Sequence, residues 1–471
     1  MLWRLGFELF ITNNMLYLVR IYINILACFI IISCQKINTS SNVDPDFPSK
    51  QYVLDEFGQI VTTEFSLSDF ESPQTCQQCH PNHYNDWSLS MHAFSMKDSI
   101  FFRGWNKAKS DFENTGERFC IQCHSPAAFL TGEDLADYSS PDGMAESIVD
   151  GISCDVCHSI TALSTTVHTQ DNVAAVALYY LNPGEGVKYG SIENPVNNSH
   201  HESEYNPIFH RSELCLPCHD LTIRGIEAEI TFTEWNRIPD LAMSGALSCQ
   251  ECHMPEKLDG THDHRFVGVD IDLNYPIGQS PLHDEVQEML KSAVDLQFGY
   301  PNYDLPDSIF IGNSLSIPVT VSSRTAHGLP SGTSFSREAW LEVKVTDAEA
   351  DTLLYESGVV SNIASLDTSD IDLLLFTTTI IDNEEKETNS ITHAHNIINQ
   401  SLPAFSERYH SYQIENILSN SIIIDIRMLF RAFKPHHLEM HYNLIENLPI
   451  ENLPIFEMAS IRDTVYTKLS P

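Results

Sequence analysis

The sequence predicts an α+β chain of several domains, with a mainly α-helical segment followed by a C-terminal β-sandwich. Three observations predict it. Ten of the twelve cysteines fall into five Cys-x-x-Cys-His motifs between residues 76 and 253, a region with few long periodic apolar runs. From residue 293 onward the pattern changes to apolar/polar alternation, as in Leu315-Ser-Ile-Pro-Val-Thr-Val321, which is the two-residue period of a half-buried strand. Between them, His283-Asp-Glu-Val-Gln-Glu-Met-Leu-Lys-Ser292 has helical spacing with acidic residues in its first turn.

The chain opens on an address. A basic start ending at Arg20 precedes an apolar core from Ile21 to Ser33, and Ile31-Ile32-Ser33-Cys34 resembles a bacterial lipobox. Residues 1–34 therefore read as a signal peptide with a lipid attached at Cys34, and residues 1–14 as an upstream extension. A retained membrane helix over 16–33 is the alternative reading, since 18 residues is borderline for spanning. Both place the remainder outside the cytoplasm, periplasmic or at the cell surface, with the outer membrane favoured. Residues 35–71 are polar and rich in Ser, Asn, Asp and Pro, as a flexible tether is.

The motifs lie at Cys76–Cys79–His80, Cys120–Cys123–His124, Cys154–Cys157–His158, Cys215–Cys218–His219 and Cys249–Cys252–His253. Two cysteines three apart can each add to one vinyl group of a haem, and the next histidine then falls under the iron as its proximal ligand. Zinc knuckles are the competing reading. Against zinc, a histidine follows every pair, the motif starts are 34 to 61 residues apart, and five pairs leave one without a partner. Five covalent haems c, each with iron, are the expected cofactors. Residues 72–275 then form a haem-packed domain, mainly α-helical and sparse in regular structure, because five macrocycles replace a conventional side-chain core. Residues 276–292 connect it by a helix to the β-sandwich at 293–471. Strands are expected at Ala293–Phe298, Leu315–Val321, Ala339–Val345 and Ser421–Phe430, with turn residues such as Gly328–Gly332 between them. The tandem Glu446–Ile450 and Glu451–Ile455 reads as a local duplication.

What each iron does depends on its second axial ligand: histidine closes it for electron transfer, and an open position admits substrate. Sixteen of the 21 histidines lie outside the motifs, enough for every iron. Candidates near the motifs are His83, His92, His168, His200, His201, His210, His262 and His264. Met91, Met96, Met243 and Met254 fit packing better than ligation, so bis-histidine ligation is expected at most sites.

The residues also resemble multihaem cytochromes of the cytochrome c-552/c-554 family, relatives of hydroxylamine oxidoreductase. The resemblance rests on Trp87-Ser-Leu-Ser-Met-His92, Gly151-Ile-Ser-Cys-Asp-Val-Cys-His158, His210-Arg-Ser-Glu-Leu-Cys-Leu-Pro-Cys-His219, Thr233-Glu-Trp235, Cys249-Gln-Glu-Cys-His-Met-Pro255, His264-Arg-Phe-Val-Gly268 and Ala326-His-Gly-Leu-Pro-Ser-Gly332 with Arg337-Glu-Ala-Trp-Leu341. It spans roughly 72–435. It implies distal ligand roles for His92, His201 (or its neighbour His200), His210 and His264. It implies one for His327 too, reaching back from the β-domain to a haem. Ala326 stands where glycine is common in the family.

Charge narrows the function further. With 64 acidic residues against 26 basic ones the formal charge is −38, which argues against nucleic acid or an anionic membrane surface as partner. The expectation is extracytoplasmic electron transfer to redox partner proteins. The alternative is a multihaem oxidoreductase acting on a small nitrogen or sulfur compound at one open haem. No Cys-x-x-Cys-Lys motif, catalytic triad, phosphate loop or distinctive carboxylate pair is present, and no catalytic residue is assigned.

Overall fold

The computed structural model describes residues 48–54, 60–111, 116–164, 178–223, 225–239, 247–361, 363–442 and 450–469. Cys28, Cys34, His168, Met243 and residues 446–449 of the first tandem copy lie outside them. Among the described residues no helix is long and apolar enough to cross a membrane.

The cysteine-bearing region is built from short helices, as expected, but four small sheets are interleaved with them. β1 (Tyr52–Leu54) pairs with β2 (Ile60–Thr63), β3 (Ile160–Ser164) with β4 (Leu178–Leu181), β5 (Val187–Gly190) with β6 (Glu202–Tyr205), and β7 (Leu221–Ile223) with β8 (Ile226–Glu229). Strands this short leave no alternation to read, so the sequence pattern pointed to helix alone. A second difference is a side-chain core. The helix Ser99–Asp111 buries Phe102, Trp105 and Ala108 on one face, and Phe102 and Trp105 belong to one core with Met96, Ile121, Phe129, Leu130 and Ile148. The spacing i, i+3, i+6 puts those residues along one stripe of the helix.

The C-terminal region is β-rich and has two sheets. β9 (Val294–Phe298), β11 (Leu315–Ser323) and β17 (Glu407–Ile414) form a three-stranded sheet in the order β17-β11-β9. The larger sheet runs β10-β19-β18-β12-β14-β15, from β10 (Ser308–Phe310), β12 (Glu338–Asp347), β14 (Leu375–Ile381), β15 (Glu387–Thr388), β18 (Ser421–Arg431) and β19 (Phe456–Lys468). β13 (Leu353–Ser357) is added on β12, and β16 (Asn396–Asn399) on β14. Strands form where alternation marked them, because alternate residues face one core. Ile422, Ile424, Ile426 and Met428 on β18 are fully buried, as are Leu341, Val343 and Val345 on β12. The register sets Val343 opposite Ile426 and Val345 opposite Ile424. Leu315, Ile317, Val319 and Val321 of the other sheet join the same core. The helix His283–Ser292 closes one end of it with Val286 and Leu290, four residues apart on one face.

Candidate haem-binding site

Local sequence explains how each motif presents its residues. In Cys154–His158 and Cys249–His253 the residue before the first cysteine is serine, and its hydroxyl accepts the N–H of Val156 or Glu251. That N-cap starts a single helical turn. Positions i, i+3 and i+4 of the turn share a face, so both sulfurs and the imidazole point the same way. Cys120 to His124 are the last residues of the helix Gly116–His124. Cys76 lies in the helix Pro73–Gln77. The fourth motif follows a 3-10 turn at Ser212–Leu214, with His219 N–H donating to the Cys215 carbonyl at 3.0 Å.

The fold draws the motifs together. Cys76 is a close neighbour of Cys154, Cys123 of Cys218, and Cys215 of Cys249. None of the ten motif cysteines is in a disulfide. The first and third motifs are also clamped by Lys188, which pairs with Asp155 and, at 3.0 Å, with Glu71. Gly151 makes a close approach possible. Its φ is +65°, and a Cβ there would lie 2.7 Å from the His92 carbonyl oxygen and 2.1 Å from Ser95 Oγ. Only glycine lets the third motif begin against the His92 segment.

Four motif histidines face another histidine at one repeated distance. Ring centres are 6.4 Å apart for His80 and His201, His92 and His219, His158 and His264, and His253 and His327. Two imidazoles bound end-on to one metal, each through a nitrogen about 2.0 Å away with its ring centre roughly 1.1 Å beyond, have centres roughly 6.3 Å apart. A contact stack would be closer, as the 3.8 Å between His124 and Phe101 shows. The far ring nitrogens are anchored. Nδ1 of His201, His264 and His327 lies 2.9–3.0 Å from the carbonyl oxygens of Glu202, His262 and Gly328. His92 differs: the residue is half-buried, and its buried Nδ1 has no hydrogen-bond partner. An orphaned buried nitrogen is what a metal or its macrocycle would satisfy. The donor set and spacing fit haem.

Burial also favours the neutral form of six of the histidines at this site, the form that iron ligation requires. It pushes His92 down to about 3 and His124 and His264 to about 4, and lowers His158, His253 and His327. His219 is the exception. Burial opposes its charge, but the Glu229 carboxylate, 3.0 Å from Nδ1, outweighs that and lifts it to about 9.

The other candidates fall elsewhere. His210 ends the 3-10 turn Pro207–His210, where its ring meets Tyr205 at 6.2 Å and its Nε2 the Ser191 carbonyl at 3.0 Å. No motif histidine is its ring neighbour among the described residues. His262 Nδ1 faces the Met254 carbonyl. His83 stands edge-on between His80 and His264, at 5.8 and 4.9 Å. Sequence reading missed Phe101, which covers one face of His124, and Glu229. An aromatic in a helix and a glutamate in so acidic a chain carry no signal of their own.

Residues 75–159 match the family model described as cytochrome c554 and c-prime. A penta-heme cytochrome c552 from Thermochromatium tepidum shares the fold, with a TM-score of 0.62 at 18% identity over 84% of this chain and 99% of that one. The CARDB domain of a Pyrococcus furiosus protein covers 37% of this chain and 86% of its own at 8% identity, with a TM-score of 0.15. No curated protein matches the chain by sequence. The matched family segment, the shared fold and the five Cys-x-x-Cys-His motifs gathered in one region make the chain similar to multihaem c-type cytochromes.

Proposed function

We propose that this chain transfers electrons outside the cytoplasm through five haems c, four of them held between two histidines. The observation that carries the reading is the 6.4 Å spacing repeated in four histidine pairs. The ten cysteines attach the groups, His80, His124, His158, His219 and His253 are the proximal ligands, and His201, His92, His264 and His327 close four of the distal positions. Bound haem supplies an iron that takes up and gives back one electron. The chain fixes seven of these nine imidazoles, all but His80 and His92, through a carbonyl or carboxylate at Nδ1, which would hold the ligand geometry constant between oxidation states. The close approach of the motifs sets neighbouring groups side by side. Haem content by pyridine haemochrome should give five per chain, with low-spin spectra dominant. Fewer than five, or a mostly high-spin protein, would overturn the reading.

His124 supports a second reading, of one open haem. Its ring is stacked on Phe101, and no described histidine stands opposite it; His168 lies outside the described residues. At that position a small nitrogen or sulfur compound could reach the metal. A high-spin component that shifts with nitrite, hydroxylamine or sulfite supports this reading, and its absence removes it.

Export with a lipid at Cys34, at the outer membrane, is part of the same proposal. It rests on the apolar run ending in Ser33-Cys34. Palmitate labelling that is lost in Cys34→Ala tests it. The formal charge of −38 favours redox partners with basic faces.

A further inference from the structure

Three motif histidines turn Nδ1 to a backbone carbonyl: His124 to Ser95 at 3.1 Å, His158 to Tyr189 at 2.7 Å and His253 to Val267 at 2.7 Å. His219 turns it to the carboxylate of Glu229, at 3.0 Å. A carbonyl offers a dipole, whereas a carboxylate offers a full negative charge. An imidazole bound to metal through its other nitrogen donates its N–H to that partner, and a carboxylate draws the proton further and makes the ligand more basic. A more basic ligand favours the more highly charged oxidised iron, so it lowers the potential.

Glu229 is built into place. It is the last residue of β8, its side chain is 16% exposed, and the Thr231 hydroxyl donates to the same Oε1 at 3.3 Å. The fourth motif is also the most connected, with Cys218 a close neighbour of Cys123 and Cys215 of Cys249.

We propose that Glu229 is a positioning residue that lowers the reduction potential of the haem held by Cys215, Cys218 and His219 below those at the second, third and fifth motifs. This rests on His219 being an iron ligand, as argued above. The most connected position in the array is then the highest step that an electron crosses between its neighbours.

The test uses the full-length holoprotein and resolves five midpoint potentials by spectroelectrochemistry, with low-spin g-values from paramagnetic resonance. Glu229→Gln keeps an acceptor on Nδ1 and removes the charge. It should raise one potential, shift the g-values of the same haem and leave five haems bound. Glu229→Asp retains the charge and should stay near the parent value. Should Glu229→Gln move no potential while His219→Met alters one haem, Glu229 does not tune it and the proposal fails. An unaltered set of haem spectra in His219→Met instead overturns the ligand reading beneath it. A Glu229→Asp shift as large as that of Glu229→Gln would mean that packing, not charge, is responsible, and also overturns the proposal.

Discussion

His327 faces His253 with ring centres 6.4 Å apart and planes inclined by 18°. One belongs to the loop ahead of β12, the other to the fifth Cys-x-x-Cys-His turn. The β-rich region therefore contributes directly to the cysteine-bearing region rather than simply following it. Replacing His327 by Ala should convert one haem of five from low-spin to high-spin and leave the other four unchanged. Visible and paramagnetic resonance spectra of the holoprotein check this, and five unaltered haems would show that His327 binds no iron.

The loop carrying His327 is latched from the other side by Glu234, whose carboxylate accepts the Gly328 N–H at 2.9 Å and the Ser331 hydroxyl at 2.5 Å. Thr231 adds a bond to Ser331 at 2.8 Å and accepts the Gly332 N–H at 3.0 Å. A Cβ on residue 328 would meet Glu234 Oε1 at 2.6 Å. Glu234→Ala leaves two donors without their acceptor, so stability should fall by about 1–3 kcal/mol. The same haem that responds to His327→Ala should show partial high-spin character. A spectrum identical to the parent's would mean that the latch does not position the ligand.

How much of this was legible in the sequence depends on whether the signal was local. Cys-x-x-Cys-His is a contiguous pattern, and so is the alternation of Ile422, Ile424 and Ile426, so motifs and sandwich strands could be read directly. The choice of His201 over His200 could not, because neighbouring residues differ only in which way the backbone turns them: the His201 ring lies 6.4 Å from that of His80. Nor does the family pattern show that the 3-10 turn of His210 sets its ring beside Tyr205. The strands β3 to β8, of three to five residues, offer too few alternations to reveal a period. Glu229 depends on a hairpin of two such strands, so nothing near it in the chain announces its role.

The sandwich core should be sensitive to volume. Ile424 is fully buried on β18 and sits opposite Val345 in the register. Ile424→Ala removes apolar contacts and leaves a cavity between the sheets, a change that costs about 2–5 kcal/mol. Chemical denaturation followed at the Trp340 fluorescence should show it, with little change in the haem spectra. A loss below about 0.5 kcal/mol would contradict the tight packing of these strands.

Glu338 and Arg431 form a buried ion pair between β12 and β18, opposite each other in the register, with the guanidinium 5.3 Å over the Trp340 ring. Breaking such a pair from one side strands a buried charge and costs about 3–5 kcal/mol, whereas replacing both partners with apolar residues can be neutral. Glu338→Gln should therefore destabilise more than the double change Glu338→Leu with Arg431→Met. If the double variant is as unstable as the single one, the pair itself and not the stranded charge is what the sandwich needs.

A half-buried cluster should make the sandwich acid-sensitive. Glu387 on β15 lies 3.1 Å from His437 Nε2, 3.4 Å from His436 Nε2 and 3.2 Å from Lys434 Nζ. The two histidine hydrogen bonds, with the Lys434 charge, hold the Glu387 carboxyl well below the usual carboxylate range against the effect of burial. Burial of His437 pushes it down to about 4, although Glu387 acts the other way. Both folded-state values lie below their unfolded ones, so the unfolded chain takes up protons first as pH falls. For His437 the stability present above pH 6.5 is lost between about 6.5 and 4. For Glu387 the loss begins near pH 4.3, the usual glutamate value, and continues below it. His437→Gln retains a donor toward Glu387 but removes the titrating ring. It should flatten the fall in thermal midpoint between pH 6.5 and 4 relative to the parent, and leave the steeper fall below pH 4. An equal slope in both proteins across the upper window would place the acid sensitivity elsewhere.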